Sequence, residues 1–142
     1  MSSNLICLDG IHLGATVSSN MGAVALCGEL LLSLGSVQRP YVEAMWEREQ
    51  LSSSYMGNFV AIPHGTNESR KFVNFGQLVF LRFSQPVIWD NNEVLMCIAI
   101  AAQGDEHVEI LGNLADALLD EDKLGKLMTT QNKEDVINIL AS

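Results

Sequence analysis

The chain has 142 residues, of which 48% are hydrophobic, and its formal net charge is −9. This length predicts one domain, residues 1–142, and the composition supplies a real core and excludes an intrinsically disordered protein. An acidic surface repels nucleic acid and anionic lipid, so neither is an expected partner.

Cysteine usage and hydropathy predict a soluble, cytoplasmic protein. The three cysteines, Cys7, Cys27 and Cys97, form no CxxC pair and no metal-ligand spacing, which suits a reducing compartment. We expect no signal peptide, because residues 1–4 are polar and no charged segment precedes an apolar one. The longest apolar run, Val94 to Ala102, has nine residues and is too short to span a bilayer, so we expect no direct membrane insertion.

The first third of the chain predicts one short strand and two helices. The strand is expected over residues 5–8. A helix follows, with Asn20 as its cap and Gly35 as its stop. Its predicted apolar face comprises Met21, Val24, Ala25, Leu31 and Leu32. Pro40 suits the first turn of a second helix, which we expect to run to about Gln50.

The middle of the chain predicts the sheet. Residues 59–62 form a candidate strand that Pro63 ends, and a polar loop is expected over residues 65–74. Residues 77–83 and 94–101 are stronger strand candidates. The second of these is apolar throughout, which is typical of a central strand.

The last third predicts helices. Residues 106–119 form an amphipathic helix through Leu111, Leu114, Ala115 and Leu118. Two short helices are expected after it, the last beginning at Asn132 with Asp135 three residues on. Helices thus lie before, between and after the strands, which indicates an α/β domain with helices on both faces of one sheet.

Most enzyme motifs are absent, which turns attention to the histidines. GxxxxGK[ST], GxGxxG, HExxH and GxSxG all fail to match, so the chain offers no known means of binding ATP or a dinucleotide. His12, His64 and His107 are the candidate nucleophiles or proton carriers. His12 lies in a loop-like stretch without a supporting pattern, and we interpret it as structural or solvated.

His64 follows a predicted strand, behind the rigid Pro63 and before the permissive Gly65. This setting presents a side chain at the end of a sheet, where the ligand sites of α/β proteins lie. From these residues alone the functional signal is weak, and a plain loop histidine in a turn is the favoured interpretation.

His107 opens the amphipathic helix, four residues before Leu111, so its side chain projects from the inward face. The helix N-terminus favours neutral imidazole over imidazolium and attracts phosphate. A buried core histidine is the alternative.

Arg48 shares the apolar face of its helix with Tyr41, Ala44 and Met45. A guanidinium in that position should have an anionic partner, because an unpaired buried charge is costly. The partner is either a carboxylate, such as Glu47 or Glu49, or a phosphate.

Several segments together resemble one known family. Tyr55 to Glu68, with AIPHGT at its centre, resembles the active-site segment of the mannitol/fructose-type enzyme IIA of the sugar phosphotransferase system. The helix from Tyr41 to Glu49 resembles the family helix that ends in an arginine. The remaining matches are VIWD at 87–90, IAIAA at 98–102 and EHVEIL at 106–111, and the similarity runs from Leu5 to Leu140.

The resemblance implies a single α/β domain with a mixed β-sheet flanked by helices. It implies a phosphotransferase component in which His64 accepts a phosphoryl group from HPr, as a tele-phosphohistidine, and passes it to a cysteine of the IIB component of a IIB/IIBC permease. Arg48 and His107 are the residues expected beside it. The expected sugar is a hexitol, mannitol, and no cofactor or metal is expected.

Two alternatives remain open at this point. One is a regulatory IIA homologue whose phosphorylation state controls other proteins. The other is a metal-binding module that uses His12, His64 and His107, although no close ligand pair supports it.

Phe59 departs from the family pattern, in which a smaller residue is expected near the active-site strand.

Overall fold

A mixed five-stranded sheet forms the middle of the molecule in a computed structural model, which describes residues 5–140. The strands are β1 (Ile11–Ala15), β2 (Tyr55–Gly57), β3 (Val60–Ala61), β4 (Gln77–Trp89) and β5 (Asn92–Ala101). Their spatial order is β1-β4-β5-β3-β2. The β1–β4 and β3–β5 pairs are parallel, and the other two pairs are antiparallel.

Helices cover both faces of this sheet. They are α1 (Asn20–Ser33), α2 (Arg39–Leu51), α3 (Glu106–Leu119), α4 (Glu121–Thr129) and α5 (Lys133–Leu140). Alternate residues of β4 point to opposite sides: Val79 and Leu81 pack with α1 and α2, whereas Leu78 and Phe80 pack with α3, α4 and α5. We call these the α1–α2 layer and the α3–α5 layer. The predicted α/β fold with one flanked mixed sheet is confirmed.

The central position of β5 is also confirmed. Its residues from Met96 to Ala101 are fully buried, as expected for a strand covered on both faces. A tight turn at Asp90 and Asn91, both with positive φ, joins it to β4. β4 continues six residues beyond the predicted end at Phe83, because the polar residues and Pro86 that interrupt the pattern fall where the register shifts.

One strand predicted in the N-terminal half was wrong, and another is shorter than predicted. Residues 5–8 do not form a strand: the Leu5 carbonyl accepts from Leu78 N at 2.6 Å and from Gln77 Nε2 at 2.9 Å, a 3₁₀ helix covers Leu8–Gly10, and the strand begins at Ile11. The candidate strand over residues 59–62 is only Val60–Ala61, which pairs with the unpredicted β2. Phe59 has a φ of 67° in the connecting turn and is 45% exposed, so its bulk lies outside the core.

The boundaries of α1 were predicted well, and Val24 and Leu31 are buried as predicted, but the cap and part of the inward face were wrong. Ser19, rather than Asn20, caps the helix by accepting a bond from Gly22 N at 3.0 Å. Gly35 ends it with a φ of 81°. Met21 and Ala25 are exposed, whereas the buried side includes Cys27 and Gly28. A Cβ on Gly28 would lie 2.7 Å from Val42 Cγ1, so α1 presents small residues to α2.

The remaining helices agree with the predictions. α2 has Pro40 in its first turn, α3 has the predicted bounds, and α5 begins directly after Asn132. The predicted polar loop contains a 3₁₀ helix over Glu68–Phe72. Within residues 5–140, no helix is long and apolar enough to cross a membrane.

Candidate active site

His64 lies at the end of the sheet, held against the end of β5. It forms an isolated parallel bridge with Ile100, and Ile100 N donates to the Pro63 carbonyl at 2.9 Å. Pro63 has no N–H to donate, so the regular strand ends before it, and this isolated bridge is what still holds His64 against β5. The predicted position of His64, directly after a strand and at a sheet end, is confirmed by this geometry.

A backbone carbonyl fixes the tautomer of His64. Its Nδ1 lies 2.9 Å from the Ile62 carbonyl oxygen. Because a carbonyl oxygen only accepts, Nδ1 carries the hydrogen and Nε2 carries the free lone pair. Burial lowers the pKa of His64, the bond to Ile62 opposes this, and the charges of Arg48 and Arg70 lower the pKa further. The ring is therefore a neutral nucleophile at pH 7.

His107 faces His64 from the first turn of α3. The two ring centroids are 4.8 Å apart with planes at 59°, and the His107 side chain is buried as its helical phase predicts. Burial lowers its pKa to about 4, and the charges of His64, Arg70 and Arg48 contribute. His107 is thus neutral at pH 7 and can donate a hydrogen bond without adding positive charge.

Arg48 is half-buried at the end of α2, and its carboxylate partner is absent. Its Nη1 donates to the Ser52 carbonyl at 2.6 Å, and it forms no ion pair with any residue in 5–140. Glu47 is exposed, and Glu49 bonds elsewhere. Arg48 lines an open groove of about 340 Å³. The groove is lined by Glu47, Arg48, Leu51, Thr66, Asn67 and Glu68.

The third histidine does not join this group. His12 is exposed on β1, an edge strand that is separated from β5 by β4. Its interpretation as a solvated residue agrees with this position. Within residues 5–140, no three His, Cys, Asp or Glu side chains lie close enough to hold a metal ion.

Tyr41 is a site residue that the sequence did not reveal. Its hydroxyl donates to the Ile100 carbonyl at 2.8 Å and accepts from Gly65 N at 2.9 Å, so it joins the His64 loop to β5. Burial raises its pKa to about 12, which keeps the phenol protonated. A Cβ on Gly65 would lie 2.6 Å from Tyr41 Cε1, so only glycine permits this approach. The two residues are 24 positions apart, and no periodic pattern links them.

Arg70 is a second cation beside the histidines, and it was predicted only as part of a polar loop. It lies in the 3₁₀ helix, with Nη1 3.5 Å from the Gly104 carbonyl, just before α3. Together with burial, its charge lowers the pKa values of His64 and His107. Arg70 lies near the two histidines because the 3₁₀ helix folds back toward α3. No spacing in the sequence predicts this contact.

The geometry combines a free imidazole nitrogen, a neutral histidine and two guanidinium groups at an open sheet end. Guanidinium groups suit the oxygens of a phosphoryl group, and phosphoryl transfer requires mainly positioning and charge stabilisation. The arrangement can therefore form and discharge a phosphohistidine.

Similar proteins were identified by both sequence and structure. A mannitol-specific phosphotransferase enzyme IIA component from Halalkalibacterium halodurans is 36% identical over 140 residues, which cover 99% of this chain and 97% of the relative. The mannitol-specific EIICBA component of Vibrio cholerae is 36% identical over 137 residues, covering 94% of this chain and 21% of that longer protein. A solved chain from the complex of enzyme IIAMTL and phosphorylated enzyme IIBMTL of Escherichia coli superposes with a TM-score of 0.88 at 32% identity, covering 96% of this chain and 99% of that chain.

The family model described as phosphoenolpyruvate-dependent sugar phosphotransferase system, EIIA 2, matches residues 5–142. The family resemblance drawn from the sequence is confirmed, and with it the expected role as a phosphotransferase component. The chain belongs to the EIIA 2 family of the phosphoenolpyruvate-dependent sugar phosphotransferase system.

Proposed function

We propose that the chain is a cytoplasmic phosphoryl carrier for mannitol uptake: His64 accepts a phosphoryl group from HPr and passes it to a cysteine of a mannitol-specific IIB component. The observation that carries this proposal is the bond between His64 Nδ1 and the Ile62 carbonyl, which leaves Nε2 free beside Arg48 and His107. The E. coli complex with phosphorylated IIB and the fused V. cholerae protein support a IIB partner.

In the accepting step, the Nε2 lone pair of His64 attacks phosphorus, and the bond between phosphorus and the HPr imidazole breaks. The electron pair of that bond returns to the HPr ring. The His64 ring gains positive charge, which the Ile62 carbonyl stabilises through Nδ1–H. Arg48 stabilises the phosphoryl oxygens with its free donors, and His107 donates a neutral hydrogen bond.

In the donating step, a IIB thiolate attacks phosphorus and the P–Nε2 bond breaks. The electron pair returns to the His64 ring, which becomes neutral again while Nδ1 keeps its hydrogen. No proton moves in either step, so one fixed tautomer serves both directions. The lowered pKa of His64 agrees with this cycle, because the discharged ring stays neutral and ready to accept again.

A labelling experiment tests the assignment of His64. His64→Ala is expected to abolish acid-labile, base-stable labelling by phosphorylated HPr while the fold is retained. His12→Ala is the matched control, because it removes an exposed histidine from β1 and should label normally. Acid-labile phosphate on the folded His64→Ala protein would contradict the assignment.

A chase experiment tests the partner and the sugar. Phosphorylated protein is mixed with IIB domains of mannitol, fructose and unrelated systems, and loss of label is followed with time. We expect the fastest transfer to the mannitol IIB domain. The regulatory alternative is not favoured, because the relatives named above are transport components; it would gain support if no IIB domain discharged the protein.

A further inference from the structure

Glu49 is a buried carboxylate that takes no direct part in the proposed transfer. It is 6% exposed, and no cation within residues 5–140 lies at ion-pair distance from it. Burying a carboxylate is costly unless hydrogen bonds replace its water, and an apolar side chain of similar volume avoids that cost. The groups that bond to Glu49 therefore indicate its role.

Three hydrogen bonds connect Glu49 to two separate parts of the chain. Ser54 donates twice, from N to Oε2 at 2.7 Å and from Oγ to Oε1 at 2.6 Å. The Trp89 indole N–H donates to Oε2 at 2.9 Å. Because Trp89 is fully buried at the end of β4, it anchors the carboxylate, and the carboxylate fixes both the backbone and the side chain of Ser54.

Ser54 is connected to His64 through a single residue. Ile62 N donates to the Ser54 carbonyl at 2.9 Å, and the Ile62 carbonyl accepts from His64 Nδ1 at 2.9 Å. Ser54 and Ile62 are both buried, so water cannot easily replace these bonds. The orientation of Ile62, and hence of the carbonyl that selects the His64 tautomer, depends on where Ser54 is held.

We propose that Glu49 is a positioning residue for His64: by fixing Ser54 it orients the Ile62 carbonyl, which keeps the hydrogen on Nδ1 and the lone pair on Nε2. The consequence for phosphoryl transfer rests on the proposed function, whereas the consequence for the tautomer does not.

The test measures the tautomer and the transfer rate separately. Long-range ¹H–¹⁵N spectra of the ¹⁵N-histidine-labelled protein report which His64 nitrogen carries hydrogen, with or without a working phosphoryl donor. In Glu49→Ala we expect a mixture of the two His64 tautomers. We also expect phosphoryl acceptance from HPr to slow by about 10- to 100-fold, because misplacing a reacting atom by about 1 Å costs on the order of 100-fold.

Glu49→Gln separates hydrogen bonding from charge. Its amide oxygen can accept from Ser54 N and Trp89 Nε1, and its NH₂ can donate to Ser54 Oγ, so the network survives without the negative charge. We expect the wild-type tautomer and a rate within a few-fold of wild type. A glutamine variant as impaired as Glu49→Ala would overturn the positioning role in favour of a purely electrostatic one.

Arg82→Met is the control for lost stability. Arg82 is a buried polar residue in β4 that bonds the carbonyls of Leu127 and Leu13, away from the His64 loop. It should lower stability while the His64 tautomer and the rate stay unchanged. A Glu49→Ala protein that loses stability but keeps a single Nδ1–H tautomer and the wild-type rate would overturn the proposal.

Ser54→Ala keeps the proposal testable if Glu49→Ala does not fold. It removes only the Oγ bond to Glu49 and leaves the backbone bond in place. We expect a partial change of tautomer and a rate reduced by a few-fold. An unchanged tautomer together with an unchanged rate would contradict the proposal. If the tautomer changes while no histidine is ever phosphorylated, the proposed function fails and the positioning role stands.

Discussion

The two helical layers hold their active-site residues by different means. In the α1–α2 layer, Tyr41 bonds Gly65 N directly, and Glu49 acts through its hydrogen bonds to Ser54. The α3–α5 layer supplies His107 through the apolar packing of α3, whose inward residues include Ile110 and Leu114. His64 is therefore oriented mainly by residues of the α1–α2 layer, whereas His107 belongs to the α3–α5 layer.

The difference also separates what each layer contributes to the chemistry. The α1–α2 layer places a permanent charge, Arg48, and fixes the loop that carries the nucleophile. The α3–α5 layer places a group that is neutral at pH 7, because burial lowers the pKa of His107 to about 4. Changes in the first layer should therefore affect transfer strongly in both directions, and changes in the second should have smaller effects. The variants below test this.

Arg48→Lys should produce the largest effect on rate. Lysine keeps the charge but loses the planar set of donors, and removing a preorganised donor costs on the order of 100-fold in rate. Rapid-quench measurement of phosphoryl transfer checks this. Arg39→Lys, the same change at the exposed start of α2, is the control and should be neutral. An unchanged rate in folded Arg48→Lys would make Arg48 structural.

Tyr41→Phe should weaken the connection between Gly65 and Ile100 of β5, which the Tyr41 hydroxyl makes. It leaves Gly65 N and the Ile100 carbonyl without their shared partner, and an unsatisfied buried polar group costs about 1–3 kcal/mol. Urea unfolding measures this loss. Tyr55→Phe is the control, since the Tyr55 hydroxyl bonds no residue in 5–140. Equal stabilities of the two variants would argue against the Tyr41 connection.

His107→Gln should fold and accept phosphate on His64, but donate to IIB about tenfold more slowly. A neutral hydrogen bond contributes about 0.5–1.5 kcal/mol, and 1.36 kcal/mol corresponds to tenfold. Charge develops on the departing phosphoryl oxygens in the donating step, where this donor matters most. Single-turnover rates in both directions decide the point. Wild-type rates in both would remove His107 from the site, and label surviving in His64→Ala would make it an acceptor.

A separate expected effect is on the pH dependence of stability. The pKa of His107 is lowered from 6.5 to about 4 in the folded chain, so the unfolded state binds its proton first as the pH falls. The free energy of unfolding should therefore decrease between pH 6.5 and pH 4, and His107→Gln should decrease less. Urea titrations across this range measure the difference. Parallel pH curves for the two proteins would contradict the assigned shift.

The contribution of the α3–α5 layer could be predicted from the sequence better than that of the α1–α2 layer. The spacing of apolar residues in α3 gives the inward phase of His107 directly, and the structure confirms it. The bond between Tyr41 and Gly65 joins a side chain to a backbone group 24 residues away, which no local pattern encodes. The same holds for Glu49, which bonds Trp89 from 40 residues away.

The sheet shows a second limit of sequence patterns. β2 was missed because it has three residues, and its turn places Asn58 and Phe59 at positive φ, although phenylalanine is not a turn residue. β4 was predicted too short because Pro86 interrupts its pattern at a register shift. Long apolar strands such as β5 were predicted correctly, because burial on both faces leaves an unbroken apolar run.

The most direct test of the account is to identify the nitrogen that carries the phosphoryl group. The protein is labelled with ¹⁵N-histidine, phosphorylated by HPr, and examined for ³¹P–¹⁵N coupling. We predict a single phosphohistidine at His64, bonded through Nε2, with hydrogen retained on Nδ1. Phosphorus bonded to Nδ1 of His64, or to either nitrogen of His107, would contradict it.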